Sequence, residues 1–209
     1  MSSLNFDLFQ STPLQTNPFD YLIVPGFVKA EALDAINADF PALDKPGSFP
    51  SHTLKYGPAF EALLDEMQGP EMAAAFADKF GAEITEKPTM VTVRGWCRPT
   101  DGKIHTDSKD KVITVLLYLN EDWSDDGGRL RLLKGPESLD DYVAEVPPVA
   151  GTIVAFRCTP DAWHGHNSFS GQRRTIQLNW VSGQMYVRRE KIRHSVSAFF
   201  KQFKRAKAA

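Results

Sequence analysis

Met90-Val-Thr-Val-Arg-Gly-Trp96 and Val112-Ile-Thr-Val-Leu-Leu-Tyr-Leu-Asn120 decide the fold. From Met90 onward the apolar residues change from helical spacing to a period of two, and β-branched residues replace alanines. That is the pattern of strands standing on a buried surface. The same reading predicts strands at residues 103–107, 129–133, 151–156, 163–167 and 174–181. Asp125-Asp-Gly-Gly128, Lys134-Gly-Pro136, Pro147-Pro-Val-Ala-Gly151 and Ser168-Phe-Ser-Gly171 separate them. Few residues are left for the helical crossovers that parallel strands need, so an antiparallel sandwich or barrel is expected.

Working outward, the first half reads as helical after an extended lead-in, Phe19-Asp-Tyr-Leu-Ile-Val-Pro-Gly-Phe-Val28. A helix over about 29–40 places Leu33, Ile36 and Phe40 on one face, and Pro41 stops it. A polar, proline-containing loop follows to Tyr56. Phe60, Leu63, Leu64 and Met67 mark a second helix, interrupted at Gly69-Pro70, and a third runs to Gly81. In the C-terminal tail, Ile192, Val196, Phe199, Phe200 and Phe203 form one stripe. There, eight Lys/Arg stand against Glu190 alone from Arg188 onward, predicting a basic amphipathic helix. Packing of that helix on the domain is the preferred reading, with contact to nucleic acid or another anionic surface as the alternative.

The 209 residues are 42% hydrophobic and 24% charged, with a formal charge of -2, the composition of an ordinary globular chain. A single domain is expected: a helical support region over 1–89, a β core over 90–182 and the basic helix over 188–209. No apolar run approaches a membrane span, and the first residues lack the basic and apolar regions of a secretory signal. Cys97 and Cys158 make neither a disulfide framework nor a CxxC pair. A cytoplasmic location is expected.

The chemistry concentrates in His105-Thr-Asp107 and Trp163-His164-Gly165-His166. On an extended chain residues i and i+2 face one way, so His105 and Asp107 can reach one ion, and a distant histidine would complete a facial triad. Two histidines and a carboxylate leave three adjacent positions of an octahedral ion open, which suits Fe(II) rather than a closed structural zinc site.

The ordered set of His105-Thr-Asp107, Tyr118-Leu-Asn120, Gly127-Gly128-Arg-Leu-Arg-Leu, Pro148-Val-Ala-Gly151, His164 and Arg174 resembles the iron- and 2-oxoglutarate-dependent oxygenases of the prolyl-hydroxylase-like branch. The resemblance covers about residues 90–182. It implies a double-stranded β-helix, a jelly-roll or cupin-like barrel, and a dioxygenase that hydroxylates a peptidyl or small-molecule substrate. It also implies Fe(II), 2-oxoglutarate and O2 as cofactors, with ascorbate as an optional reductant, and His105, Asp107 and His164 as catalytic metal ligands.

In the family the second histidine precedes the basic co-substrate residue by about nine or ten positions, and that residue lies six before a tryptophan. Counting back from Trp180 gives Arg174, ten after His164 and eight after His166, so His164 is preferred. Arg174 shares parity with Ile176, Leu178 and Trp180, and this apolar face is expected to be the inner one. A guanidinium suits a carboxylate because its planar fork pairs bidentately.

The chain departs from the family at Leu117 and Trp96, where relatives place tyrosines, which leaves Tyr118, Trp96, Thr92 and Arg94 as candidates for further co-substrate contacts. Arg129 replaces a common acidic residue. Asp107 argues for hydroxylation over halogenation, since halogenating relatives lack the carboxylate. The loops 44–56 and 98–102 are expected to border the entrance, where Arg98 and Lys103 would favour an anionic substrate. The alternative is a non-catalytic barrel whose basic tail recognises an anionic partner.

Overall fold

The computed structural model describes residues 2–184. Helix α1 (Phe6–Ser11) begins where the Asn5 side chain accepts a hydrogen bond from the Leu8 amide at 3.0 Å. Strand β1 (Tyr21–Val24) and helix α2 (Ala30–Ala38) follow. A short strand, β2 (Phe49–Pro50), leads to helices α3 (Pro58–Gln68) and α4 (Pro70–Phe80). Both of these helices start on a proline at the first helical position, where its missing N–H costs nothing. The N-terminus of α3 is also capped from a distance, because Asp39 Oδ2 accepts from the Ala59 amide at 2.7 Å. That approach requires Gly57, since a Cβ there would lie 2.2 Å from the Asp39 carboxyl carbon.

The second half supplies β3 (Thr89–Cys97), β4 (Lys111–Tyr118), β5 (Leu130–Leu133), β6 (Tyr142–Val146), β7 (Ile153–Arg157), β8 (His164–Gly165) and β9 (Gly171–Val181). Six strands form one sheet in the order β1-β7-β4-β9-β3-β2, and three form a second in the order β6-β5-β8. Every strand pair is antiparallel. The expected barrel of two antiparallel sheets is therefore present, with β1 and β2 of the N-terminal region joined to the larger sheet. The predicted strand over 103–107 is absent, and only an isolated bridge between His105 and His164 forms there. The short strands β2 and β6 lie outside the predicted set. The basic helix expected over 188–209 lies outside the described residues. No described helix is long and apolar enough to cross a membrane.

Both faces of the larger sheet are covered. Ile113, Val115 and Leu117 of β4 and Ile176, Leu178 and Trp180 of β9 pack with Phe60, Leu63, Met67, Met72 and Phe76 of the helices. Phe76 lies at the centre, with ring centroids 4.5 Å from Phe9 and 5.1 Å from Trp180. The opposite face contributes Tyr118, Val154 and Phe156 to a second cluster with Leu130 and Leu132 of the smaller sheet. Strand alternation thus sends Ile176, Leu178 and Trp180 of β9 outward to the helices and its polar side, Arg173, Thr175, Gln177 and Asn179, into the barrel.

Candidate active site

The barrel cavity holds the predicted triad. His105 and His164 face each other across the isolated bridge, where each amide donates to the other's carbonyl at 3.0 Å. Their rings are 4.3 Å apart between centroids. One ligand atom each of His105, Asp107 and His164 lies within 4.8 Å of the others. The Nδ1 of His105 bonds to the Lys103 carbonyl at 2.8 Å, and that of His164 to the Ala162 carbonyl at 2.9 Å. A carbonyl only accepts, so Nδ1 carries the proton in both rings and the Nε2 lone pair is left for a metal. Burial, then the neighbouring His105, lowers the His164 pKa to about 4, keeping it a neutral ligand.

Asp107 is held at both oxygens. Lys111 Nζ donates to Oδ1 at 2.7 Å, and the Thr114 hydroxyl donates to Oδ2. Behind Thr114 a row of amides continues along β9: Asn179 Nδ2 donates to Thr114 Oγ1 at 2.6 Å, and Gln177 Nε2 donates to Asn179 Oδ1 at 3.2 Å. Burial alone would raise the Asp107 pKa. Lys111, the neighbouring His164 and the Lys111 and Thr114 hydrogen bonds outweigh it and hold the carboxyl below its ordinary range. Cys158 Sγ lies 3.2 Å from Thr114 Oγ1, and burial reinforced by the Asp107 charge pushes its thiol up to about 12, so it stays protonated.

Arg174 does not share this cavity. Its guanidinium donates to Asn37 Oδ1 at 3.3 Å and stacks over Phe40, at the end of α2. It lines a separate cavity of about 360 Å³ with Trp123, Phe169 and Gln172. The parity used to choose it is sound but the face is reversed, because the apolar side of β9 meets the helices. Arg173 enters the barrel instead. It is buried, donates from Nε to the Gly128 carbonyl at 2.8 Å, and contacts Thr175 Oγ1 at 3.3 Å and the Tyr118 hydroxyl at 3.4 Å. No carboxylate pairs with it among the described residues. A buried guanidinium without a counter-ion is costly, so this site is built for an incoming anion.

The cavity that contains the triad measures about 290 Å³ and is also lined by Thr92, Arg94, Leu116, Leu130, His166, Thr175 and Gln177. Tyr118 touches Arg173 rather than the open cavity. Trp96 is 36% exposed and absent from the lining, and a register shift between Arg94 and Trp96 accompanies its departure from the inner face. Ser48 and Gly102, from the two expected entrance loops, do line it. His166 lies beside Arg173, its pKa lowered to about 4 by burial and then by that cation. Lys111, Thr114 and Arg173 are the residues that sequence reading missed. The shared parity of Thr114, Leu116 and Tyr118 was the available signal for the inner face.

The donor set fits a divalent iron ion in the triad and 2-oxoglutarate stretched toward Arg173. Thr114, which touches Asp107, and Tyr118, which touches Arg173, are four residues apart on β4, about 13 Å along the strand. Such a span accommodates a metal bond, a five-carbon dicarboxylate and an arginine side chain.

Residues 96–182 match the family model of the 2OG-Fe(II) oxygenase superfamily. The fold is similar to that of a Pseudomonas putida prolyl-4-hydroxylase, with a TM-score of 0.55 and 18% identity over 84% of this chain and 96% of that one. A viral collagen prolyl hydroxylase of Paramecium Bursaria Chlorella virus-1, in its 2OG complex, gives 0.55 and 17% over 78% and 95%. A 2OG-Fe(II) oxygenase family oxidoreductase from Burkholderia pseudomallei gives 0.54 and 15% over 77% and 84%. No curated protein sequence matches the chain. The stretch that matches this family model carries the His-Asp-His triad, and the cofactors of that family are Fe(II), 2-oxoglutarate and O2.

Proposed function

We propose that this chain is a dioxygenase that hydroxylates a peptidyl, prolyl-type residue or a small molecule. The observation that carries the reading is the meeting, in one cavity, of the His105, Asp107 and His164 ligand atoms with a buried arginine that has no counter-ion among the described residues. The prolyl hydroxylases of similar fold support the peptidyl option.

When bound, Fe(II) and 2-oxoglutarate supply oxygen activation coupled to oxidative decarboxylation of the co-substrate. The chain's own residues set the conditions for that chemistry. His105 and His164 each hold Nδ1–H to a backbone carbonyl, which leaves Nε2 for the metal, and Asp107 is kept ionised by Lys111 and Thr114. Arg173, steadied by Gly128, Thr175 and Tyr118, would pair with the far carboxylate of the co-substrate. Leu116, Leu130 and the Phe156 ring, 4.7 Å from His164, keep the metal end partly dry. The free thiols, Cys97 buried and Cys158 half-buried, suit a reducing, cytoplasmic setting.

The test is conversion of 2-oxoglutarate to succinate and CO2 by the Fe(II)-loaded protein without added substrate, alongside ferrous binding by H105A and D107A. Slow, iron-dependent turnover in the parent, with binding lost in both variants, is expected. Iron binding by both variants at the parent's affinity would remove the assignment.

A further inference from the structure

Lys111 reaches Asp107 against the alternation of its own strand. Ile113, Val115 and Leu117 point outward into the helix-packed core, and a regular strand would send Lys111 the same way. A register shift between Lys111 and Ile113 in the pairing with β9 breaks that parity. A turn holds the residue in place, with the Lys111 amide donating to the Ser108 carbonyl at 2.9 Å. Bulges re-aim side chains in this manner, often beside active sites. The ammonium consequently lines the triad cavity, with its side chain 15% exposed and that of Asp107 only 9%.

We infer that Lys111 is a positioning residue that restricts Asp107 to one-oxygen ligation and so preserves the coordination position that the co-substrate needs. The inference rests on the proposed iron site. A carboxylate that chelates with both oxygens occupies two adjacent positions of an octahedral ion. Together with two histidines it would leave two positions rather than three, yet a chelating 2-oxo acid uses two and dioxygen needs another. Here Thr114 engages Oδ2 and Lys111 engages Oδ1, so one oxygen can face the ion with its second lone pair, while turning both onto it would surrender a charge-assisted or polar bond. Thr114 is itself locked from behind by Asn179 and Gln177, while Lys111 approaches from the cavity side. The lysine is therefore the element that can be removed without dismantling the sheet.

The experiment compares parent, K111M, K111R and T114S proteins loaded with Co(II), whose visible d–d bands report the ligand set, and titrates each with 2-oxoglutarate without oxygen. K111M should bind Co(II) at least as tightly as the parent, show d–d bands shifted in position as a carboxylate oxygen replaces a water, and bind 2-oxoglutarate about tenfold more weakly. K111R should restore both the spectrum and the co-substrate affinity, and T114S, which keeps the hydroxyl, should resemble the parent. If K111M melts at lower temperature while spectrum and affinity stay within twofold of the parent, Lys111 is only structural and the inference fails. Loss of Co(II) from K111M with retention in K111R would also overturn it, by making Lys111 a requirement for binding rather than for denticity. A parent that binds no Co(II) would instead strike the proposed function.

Discussion

Arg173→Met, read against Arg174→Met, separates the two adjacent arginines by what each holds. Arg173 is 5% exposed and has, among the described residues, only neutral partners: the Gly128 carbonyl, Thr175 Oγ1 and the Tyr118 hydroxyl, with its guanidinium over the Tyr118 ring at 5.1 Å. A carboxylate arriving there forms the one ion pair available to it, and truncating one member of a buried charge pair costs about 2–5 kcal/mol. At about 1.4 kcal/mol per tenfold, 2-oxoglutarate should bind R173M from about 30-fold to a few thousand-fold more weakly. R173K keeps the charge but loses the planar fork and should fall between. In R174M the losses are one 3.3 Å bond to Asn37 and the stacking on Phe40. This should lower stability by about 1 kcal/mol and leave co-substrate affinity within twofold. Calorimetric titration of 2-oxoglutarate into Mn(II)-loaded, oxygen-free protein measures the affinities, and urea unfolding measures the stabilities. Loss of affinity in R174M with retention in R173M would refute the assignment of faces to β9.

Three further outcomes are expected. In the metal-free protein His164 and His166 titrate near 4 rather than 6.5. The unfolded chain therefore takes up these protons first, and stability present above pH 6.5 should be lost as pH falls toward 4. The loss is on the order of 3 kcal/mol per histidine, and urea midpoints that stay flat over this range, or rise on acidification, would contradict it. Gly102→Ala places a Cβ 2.3 Å from the His166 ring at a backbone φ of +81°, so unfolding free energy should drop by about 1–3 kcal/mol and the cavity wall should shift. Phe76→Ala empties the centre of the helix–sheet core beside Phe9 and Trp180 and should cost about 3–5 kcal/mol in thermal or chemical denaturation.

The triad was legible because its signal is local. His105 and Asp107 are two residues apart in the sequence, and His164 follows at the family's distance from a basic residue. The arginine that enters the barrel stands one position before Arg174, because parity fixes which residues share a face but not which face looks inward. A sheet covered on both sides has two insides, and the apolar stripe of Ile176, Leu178 and Trp180 belongs to the helical one. Residues 98–107 carry no strand because their order comes from tertiary ties. Asp101 bridges Arg94 and Arg98, and its carboxyl stays below the ordinary range because those partners outweigh burial. Lys111 was hidden because a bulge is a pairing event between distant strands, invisible to the periodicity of either. Tyr142–Val146 is a short edge strand of the smaller sheet, with too little alternation to stand out between its flanking turns.

The two-sided larger sheet divides the work of its strands in a way that bears on how such a protein can change. On β4 and β9, consecutive residues belong alternately to the layer that keeps the chain folded and to the layer that meets ligands. Leu116 of β4, with Thr92 of the neighbouring β3, can therefore be exchanged for residues of similar size with little disturbance of the helix-side packing. One backbone can acquire a new substrate preference in single steps, each nearly neutral for folding. The reverse holds for the outer face, where repacking around Phe76 can raise thermal tolerance without touching selectivity. A library confined to the inward set would search chemistry at nearly constant stability, and one confined to the outward set would search stability at nearly constant chemistry.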